Sequence, residues 1–144
     1  MPKGALALLA LATTISAVLL TYTLLSKIVV VEIEVEGEIT KVTVVCGTRL
    51  IVSFNNSVTG SPVSLVFEVY GDGFQGVSVL TDEPTLEYYT AGLTEMRDSI
   101  RSFKSRELRY CSSQEVRVLI GGGELSFKGA CLVIRAKPYI SLSS

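Results

Sequence analysis

Three cysteines, Cys46, Cys111 and Cys131, are the side chains of this sequence best suited to covalent chemistry, and the chain has no histidine to activate them. A Ser-His-Asp triad, a Cys-His pair, an HExxH zinc site and a histidine-ligated haem all need imidazole, so those chemistries are excluded. The cysteines are widely spaced and form no CxxC, which also removes zinc ribbons and thioredoxin-type motifs. Two readings remain: one disulfide with a spare thiol, or three reduced cysteines buried as small hydrophobes. The acidic residues are no better placed for catalysis. Glu32, Glu34 and Glu36 recur every second residue, which puts them on one solvated face of an edge strand instead of opposing one another across a cleft. Asp72 in GDGFQG lacks acidic partners at calcium-loop spacing and reads as a turn residue. Gly121-Gly122-Gly123 has neither a following helix nor a GKS/T, and so is no phosphate cradle. Asn55-Asn56-Ser57 is a glycosylation sequon with Asn55 as acceptor, meaningful only outside the cytoplasm. No catalytic, cofactor-binding or metal-ligating residues are expected, and the chain is not read as an enzyme.

These residues are set in β-type sequence. From Val31 to Val45 apolar and polar residues alternate, and Gly37 divides the run into a hairpin turning near Glu36-Gly37. Further strands are expected at Arg49 to Phe54, Val63 to Tyr70, Gly76 to Leu80, Thr85 to Thr90, Leu108 to Ile120 and Glu124 to Ala136. The Thr85 to Thr90 strand would carry Tyr88 and Tyr89 to opposite faces. Between Thr94 and Ser105, Met96, Ile100 and Phe103 stand at helical spacing and predict a short surface helix. If the glycines close a hairpin with Ile120 opposite Glu124, Cys111 faces Val133 and Cys131 lies diagonally beside it; one bulge then brings Cys111 and Cys131 into bonding reach. Cys46, after VTVV, points inward on the alternation and is the spare thiol, although a Cys46 bridge stays open. About eight strands with frequent turns indicate an immunoglobulin-like sandwich or a small barrel.

The N-terminus is of another kind. Gly4 to Ser26 is 23 residues without a charge, flanked by Lys3 and Lys27. As a helix at about 1.5 Å per residue it would be roughly 35 Å long, enough to cross a bilayer. A helix apolar on every side must be buried in lipid or in protein. All 14 acidic residues and 11 of the 13 basic ones lie beyond Lys27, so that portion is net acidic and nucleic acid is not an expected partner. The fold class is thus α+β: a leader at residues 1–4, a hydrophobic helix over Ala5 to Ile28, and one all-β head over 29–144. No Gly/Ser linker intervenes, so the head should sit at a defined angle to the helix. One lysine on each flank nearly ties the positive-inside rule, and the short N-terminus favours an N-in, C-out orientation.

Lys3-Gly4-Ala5-Leu6 resembles the class III signal cleavage site of archaeal type IV pilins and archaellins. The architecture is also similar to that family: a tiny basic leader, an apolar helix directly behind the scissile bond, then a β head. An ordinary secretory signal has its apolar region before the cleavage site, whereas here the basic-Gly pair precedes it. Ala10-Leu11-Ala12 resembles an AxA signal-peptidase site, but only a short apolar stretch precedes it and much apolar chain follows. The resemblance implies a prepilin peptidase cutting between Gly4 and Ala5, membrane insertion before assembly, and a homopolymeric helical filament at the cell surface serving adhesion or attachment. Its core would be the packed helices, with Leu8, Ala12, Ser16, Leu19 and Leu20 at the contacts; small residues there permit close approach. Bacterial pilins typically carry a glutamate early in the helix. None precedes Glu32 here, which fits the archaeal branch. The competing expectation is a single-pass membrane protein whose exported β-sandwich binds a partner.

Overall fold

The computed structural model describes residues 3–82 and 100–140. Among the described residues a 23-residue helix, α1 (Lys3–Leu25), is followed by eight strands: β1 (Ile28–Val35), β2 (Glu38–Val45), β3 (Arg49–Asn55), β4 (Pro62–Tyr70), β5 (Gly73–Leu80), β6 (Lys104–Ser105), β7 (Glu107–Ile120) and β8 (Gly123–Pro138). All the pairings are antiparallel, in one open sheet of order β2-β1-β8-β7-β3-β4-β5-β6. The expected α+β class is therefore what the chain adopts. Ile28, assigned to the helix from sequence, opens β1 instead.

The β1–β2 hairpin turns at Glu36-Gly37, with Val35 paired to Glu38. Both turn residues have positive φ, 51° and 88°, as a type I′ turn requires. The β7–β8 hairpin uses the same device at Gly121-Gly122, φ 58° and 79°, so that Ile120 pairs with Gly123. That corrects the expected Ile120–Glu124 register by one residue, because the loop takes two glycines and the third begins the strand.

One sheet makes a core by folding over. A straight strand of sixteen residues, the length of β8, would measure about 50 Å. Yet Gly121, in the turn just before it, lies close enough to Val44 that an added Cβ would be 3.2 Å from the Val44 Cγ1. Val44 pairs with Val29, and Val29 with Pro138 at the far end of β8. The long hairpin must therefore bend back. It does so where Ser113 and Gln114 bulge out between the Ser112–Ala130 and Glu115–Lys128 pairs, next to Gly129 at φ 67°. Near the turn, Val116–Ile120 of β7 pairs with β3, which leads on to β4 and β5; beyond the bulge, Leu132–Pro138 of β8 pairs with β1, which leads on to β2. Between the two halves lies one cluster that includes Val29, Val31, Ile33, Leu50, Val52, Phe67, Val69, Val118, Leu132 and Ile134, all fully or nearly fully buried. The packing is that of a sandwich, made from one continuous sheet.

Residues 100–102 are helical, but Lys104–Ser105 pairs with β5, so the helix expected through Ser105 gives way to a strand. The segment is fastened by Gly76 N–H donating to Phe103 O (3.0 Å) and by the Phe103 ring 5.8 Å from that of Phe67. The remainder of that expected helix, with Met96, lies outside the described residues, as does the strand expected at Thr85 to Thr90 with Tyr88 and Tyr89.

Candidate functional site

Helix α1 has no buried residue, and its exposed side chains are mostly apolar. Its threonine hydroxyls find partners on the helix's own backbone. Thr13 and Thr14 donate to Ala10 O, Thr21 to Ala17 O, Thr23 to Leu20 O and Ser26 to Thr23 O, at 2.6–2.9 Å. A rod whose threonines are satisfied internally is suited to a dry environment. The helical spacing brings Leu8, Ala12, Ser16, Leu19 and Leu20 onto one stripe, where two small residues sit between exposed leucines. Lys3, Gly4 and Ala5 form its first turn, and nothing lies within 4 Å of where a Gly4 Cβ would be.

The junction with the head is short and hydrogen-bonded. Ser26 N–H closes on Tyr22 O, and Lys27 O accepts from Cys46 N–H at 2.7 Å. The turn after β2 is tied in turn to β4, since Gly47 N–H donates to Val69 O and Val69 N–H to Thr48 O. Rod and head thus meet without a flexible tether. Cys46 sits in this turn as an exposed free thiol. The alternation that placed it inward stops at Val44, the last buried residue of β2.

Cys111 and Cys131 are bonded directly across the β7–β8 ladder, 4.0 Å between Cα atoms. Two single-residue changes bring them opposite: the two-glycine turn shifts the register by one, and the bulge by another. The bridge stands next to the bend and pins it. Beside it Tyr110 packs on the core, and burial pushes its phenol up to about 12. Asn55 is exposed at the end of β3. Its neighbour Asn56 is buried and caps the following turn, its Oδ1 accepting from the N–H groups of Val58 (2.7 Å) and Thr59 (3.0 Å).

Glu32 and Glu34 are not on a solvated edge, and Glu36 leaves their face to stand exposed in the β1–β2 turn. β1 is an interior strand between β2 and β8, and its outer face carries an ion-pair stripe across four strands. Glu32 meets Lys137 (2.7 Å) and Lys41 (3.4 Å); Arg135 meets Glu34 and Glu107, each at 2.6 Å; Glu107 also meets Arg109. The Lys137 ammonium, with that of Lys41, holds the Glu32 carboxyl below its ordinary value against a smaller opposing effect of burial. Arg109 and then Arg135 do the same for Glu107. Sequence reading missed the cationic half of this network, although Arg135 and Lys137 show the same period of two as the glutamates. Asp72 stands in the β4–β5 turn. Among the described residues no group of three potential metal ligands comes together.

Compared with family models, curated proteins and solved structures, the chain matches none of them.

Proposed function

We propose that this chain is the structural subunit of an extracellular helical filament of the archaeal type IV pilus kind, polymerising through α1 and serving adhesion or surface attachment. The observation that carries the reading is a 23-residue helix, apolar along most of its surface and unburied, followed after two residues by a β head and opened by Lys3-Gly4-Ala5. Such a surface is not stable in water and must be covered. Copies of itself can cover it, with the small residues Ala12 and Ser16 letting backbones approach. A rotation and rise repeated without closure then give a filament. Before assembly the same helix, long enough for a bilayer, holds the subunit in the membrane. A prepilin peptidase cutting between Gly4 and Ala5 would release it. The disulfide supports an oxidising, extracytoplasmic setting for the head.

The test is to shear surface appendages from cells producing the chain, image them, and sequence the N-terminus of their protein. Filaments whose subunit begins at Ala5 are the expected result. An intact N-terminus in the membrane fraction and no filaments would favour the second reading, a single-pass protein whose exported β head binds a partner. Gly4→Val should block processing, and normal filaments from that variant would exclude a prepilin peptidase.

A further inference from the structure

The sheet ends on one side in a long bare strand. Among the described residues β2 pairs only with β1; it runs eight residues without proline, glycine or bulge, and is exposed along most of its length. Natural edges are usually interrupted by such devices, or kept very short, as β6 is at the opposite end of this sheet. In a two-residue hairpin the closing pair, Val35–Glu38, exchanges both hydrogen bonds, and every second pair repeats this. Glu38, Thr40, Val42 and Val44 therefore bond inward to β1. The same parity is visible where Cys46 N–H donates to Lys27 O. Ile39, Lys41, Thr43 and Val45 turn their N–H and C=O groups outward, and of these the Val45 carbonyl already accepts from Thr48 N–H.

We infer that β2 is a homophilic docking edge, pairing antiparallel with β2 of a second copy of this chain. Its sequence is complementary to itself in one register. Backbone parity allows only pairs between the outward-bonding residues. Placing Lys41 opposite Lys41 of the second copy sets like charges face to face, which is unfavourable. Shifting by one parity step places Ile39 opposite Val45 of the second copy, Lys41 opposite its Thr43, and the reverse pairs by symmetry. Ile39 and Val45 are the exposed apolar residues of the strand, 53% and 57% accessible. This register covers both, twice, and opposes no like charges. Lys41 is meanwhile drawn towards Glu32 on the β1 side, leaving the edge approachable.

The pairing also dictates what it connects. α1 leaves the head at Lys27, beside Cys46 and the Val45 end of β2. In the antiparallel pair the two Val45 ends lie about 20 Å apart and point oppositely, at ~3.4 Å per residue. The pair's two-fold axis relates the two copies, whereas neighbours within one filament are related by a rotation and a rise, so the contact is made between separate assemblies, and vesicles with outward heads offer it from facing surfaces. It rests on the reading that the head is exposed outside the membrane, and not on filament formation.

The test reconstitutes the full chain into vesicles with heads outward, Cys46→Ser throughout. One population carries Lys41→Cys and the other Thr43→Cys, and a short bismaleimide is added after mixing. Vesicles should cluster, and Lys41→Cys with Thr43→Cys should cross-link at least tenfold more than Lys41→Cys with Glu36→Cys, which this register holds about 20 Å apart at ~3.4 Å per residue. Thr43→Pro removes an outward N–H and no bond to β1; Ile39→Lys changes only the outer face. Each should abolish clustering while hydrogen-exchange protection of the core strands is retained. Equal cross-linking in both combinations, clustering that survives both variants, or no clustering by chains with folded heads would overturn the inference. Clustering by a chain that forms no filaments would leave it standing and remove the proposed polymer instead.

Discussion

At the scale of single residues the head depends on one covalent bond and one charged stripe. The Cys111–Cys131 bridge closes a span of 20 residues, which on loop-entropy grounds stabilises the fold by about 3 kcal/mol. Replacing both cysteines by serine should lower stability by about that much, read as a shift in the urea midpoint, and reductant should reproduce the shift in the parent chain. Cys46→Ser, in an exposed turn, should change it by less than about 0.5 kcal/mol. The ion pairs set the response to acid. Glu32 and Glu107 have folded values below the ordinary 4.5, so the unfolded chain takes up their protons first as pH falls. Their contribution is complete above that ordinary value and is lost as pH drops through the lowered ones. Denaturation profiles between pH 7 and pH 3 should show this loss in the parent chain, and a smaller one in the Glu32→Gln, Glu107→Gln double variant. The acidic half of this stripe was legible from sequence, because alternation alone places Glu32 and Glu34 on one face. Their partners were not, because pairing order across β2, β1, β8 and β7 is a property of the whole sheet.

At the scale of elements, strands and hairpins follow from period and turn chemistry, while registers follow from single residues that period cannot see. The Glu36-Gly37 turn was readable from one glycine between two alternating runs. It keeps a non-glycine residue, Glu36, at φ 51°. Asparagine adopts that conformation more readily, so Glu36→Asn should stabilise the head by about 1 kcal/mol in urea denaturation. The Gly121–Gly123 hairpin was also readable, but which two glycines form the loop was not, and that choice moved the cysteines by one register step. The segment before β6 misled a helical reading, since Ile100 and Phe103 satisfy helical spacing and core contact alike. What holds it is backbone proximity at Gly76, where an added Cβ would stand 1.9 Å from Ile100 O. Gly76→Ala must push the two apart. It should cost about 2 kcal/mol or more and raise hydrogen exchange at Phe103 ahead of the rest of the sheet.

For the whole molecule the decisive question is what covers α1, and a well-chosen substitution can answer it. A charge placed in the helix is uninformative, because Ala12→Arg is costly in hydrocarbon and in a dry protein core alike. A change of bulk is different. Lipid chains adapt to side-chain size, whereas packed helices 8–10 Å apart do not. Ala12→Leu with Ser16→Leu replaces the two small residues of the stripe that carries Leu8, Leu19 and Leu20, and adds only apolar surface. The double variant should insert into the membrane as the parent does. Its head should denature at the same midpoint, because no α1 residue is buried against it. If helices of neighbouring copies cover one another, filaments should be lost or become much shorter, since two leucines per subunit force the backbones apart. If lipid is the permanent cover, the variant should be indistinguishable from the parent in membrane content and in whatever its head binds. Filament length by electron microscopy, set beside membrane content by carbonate extraction, separates the two covers through a property of α1 that composition alone could not rank: which of its faces is narrow.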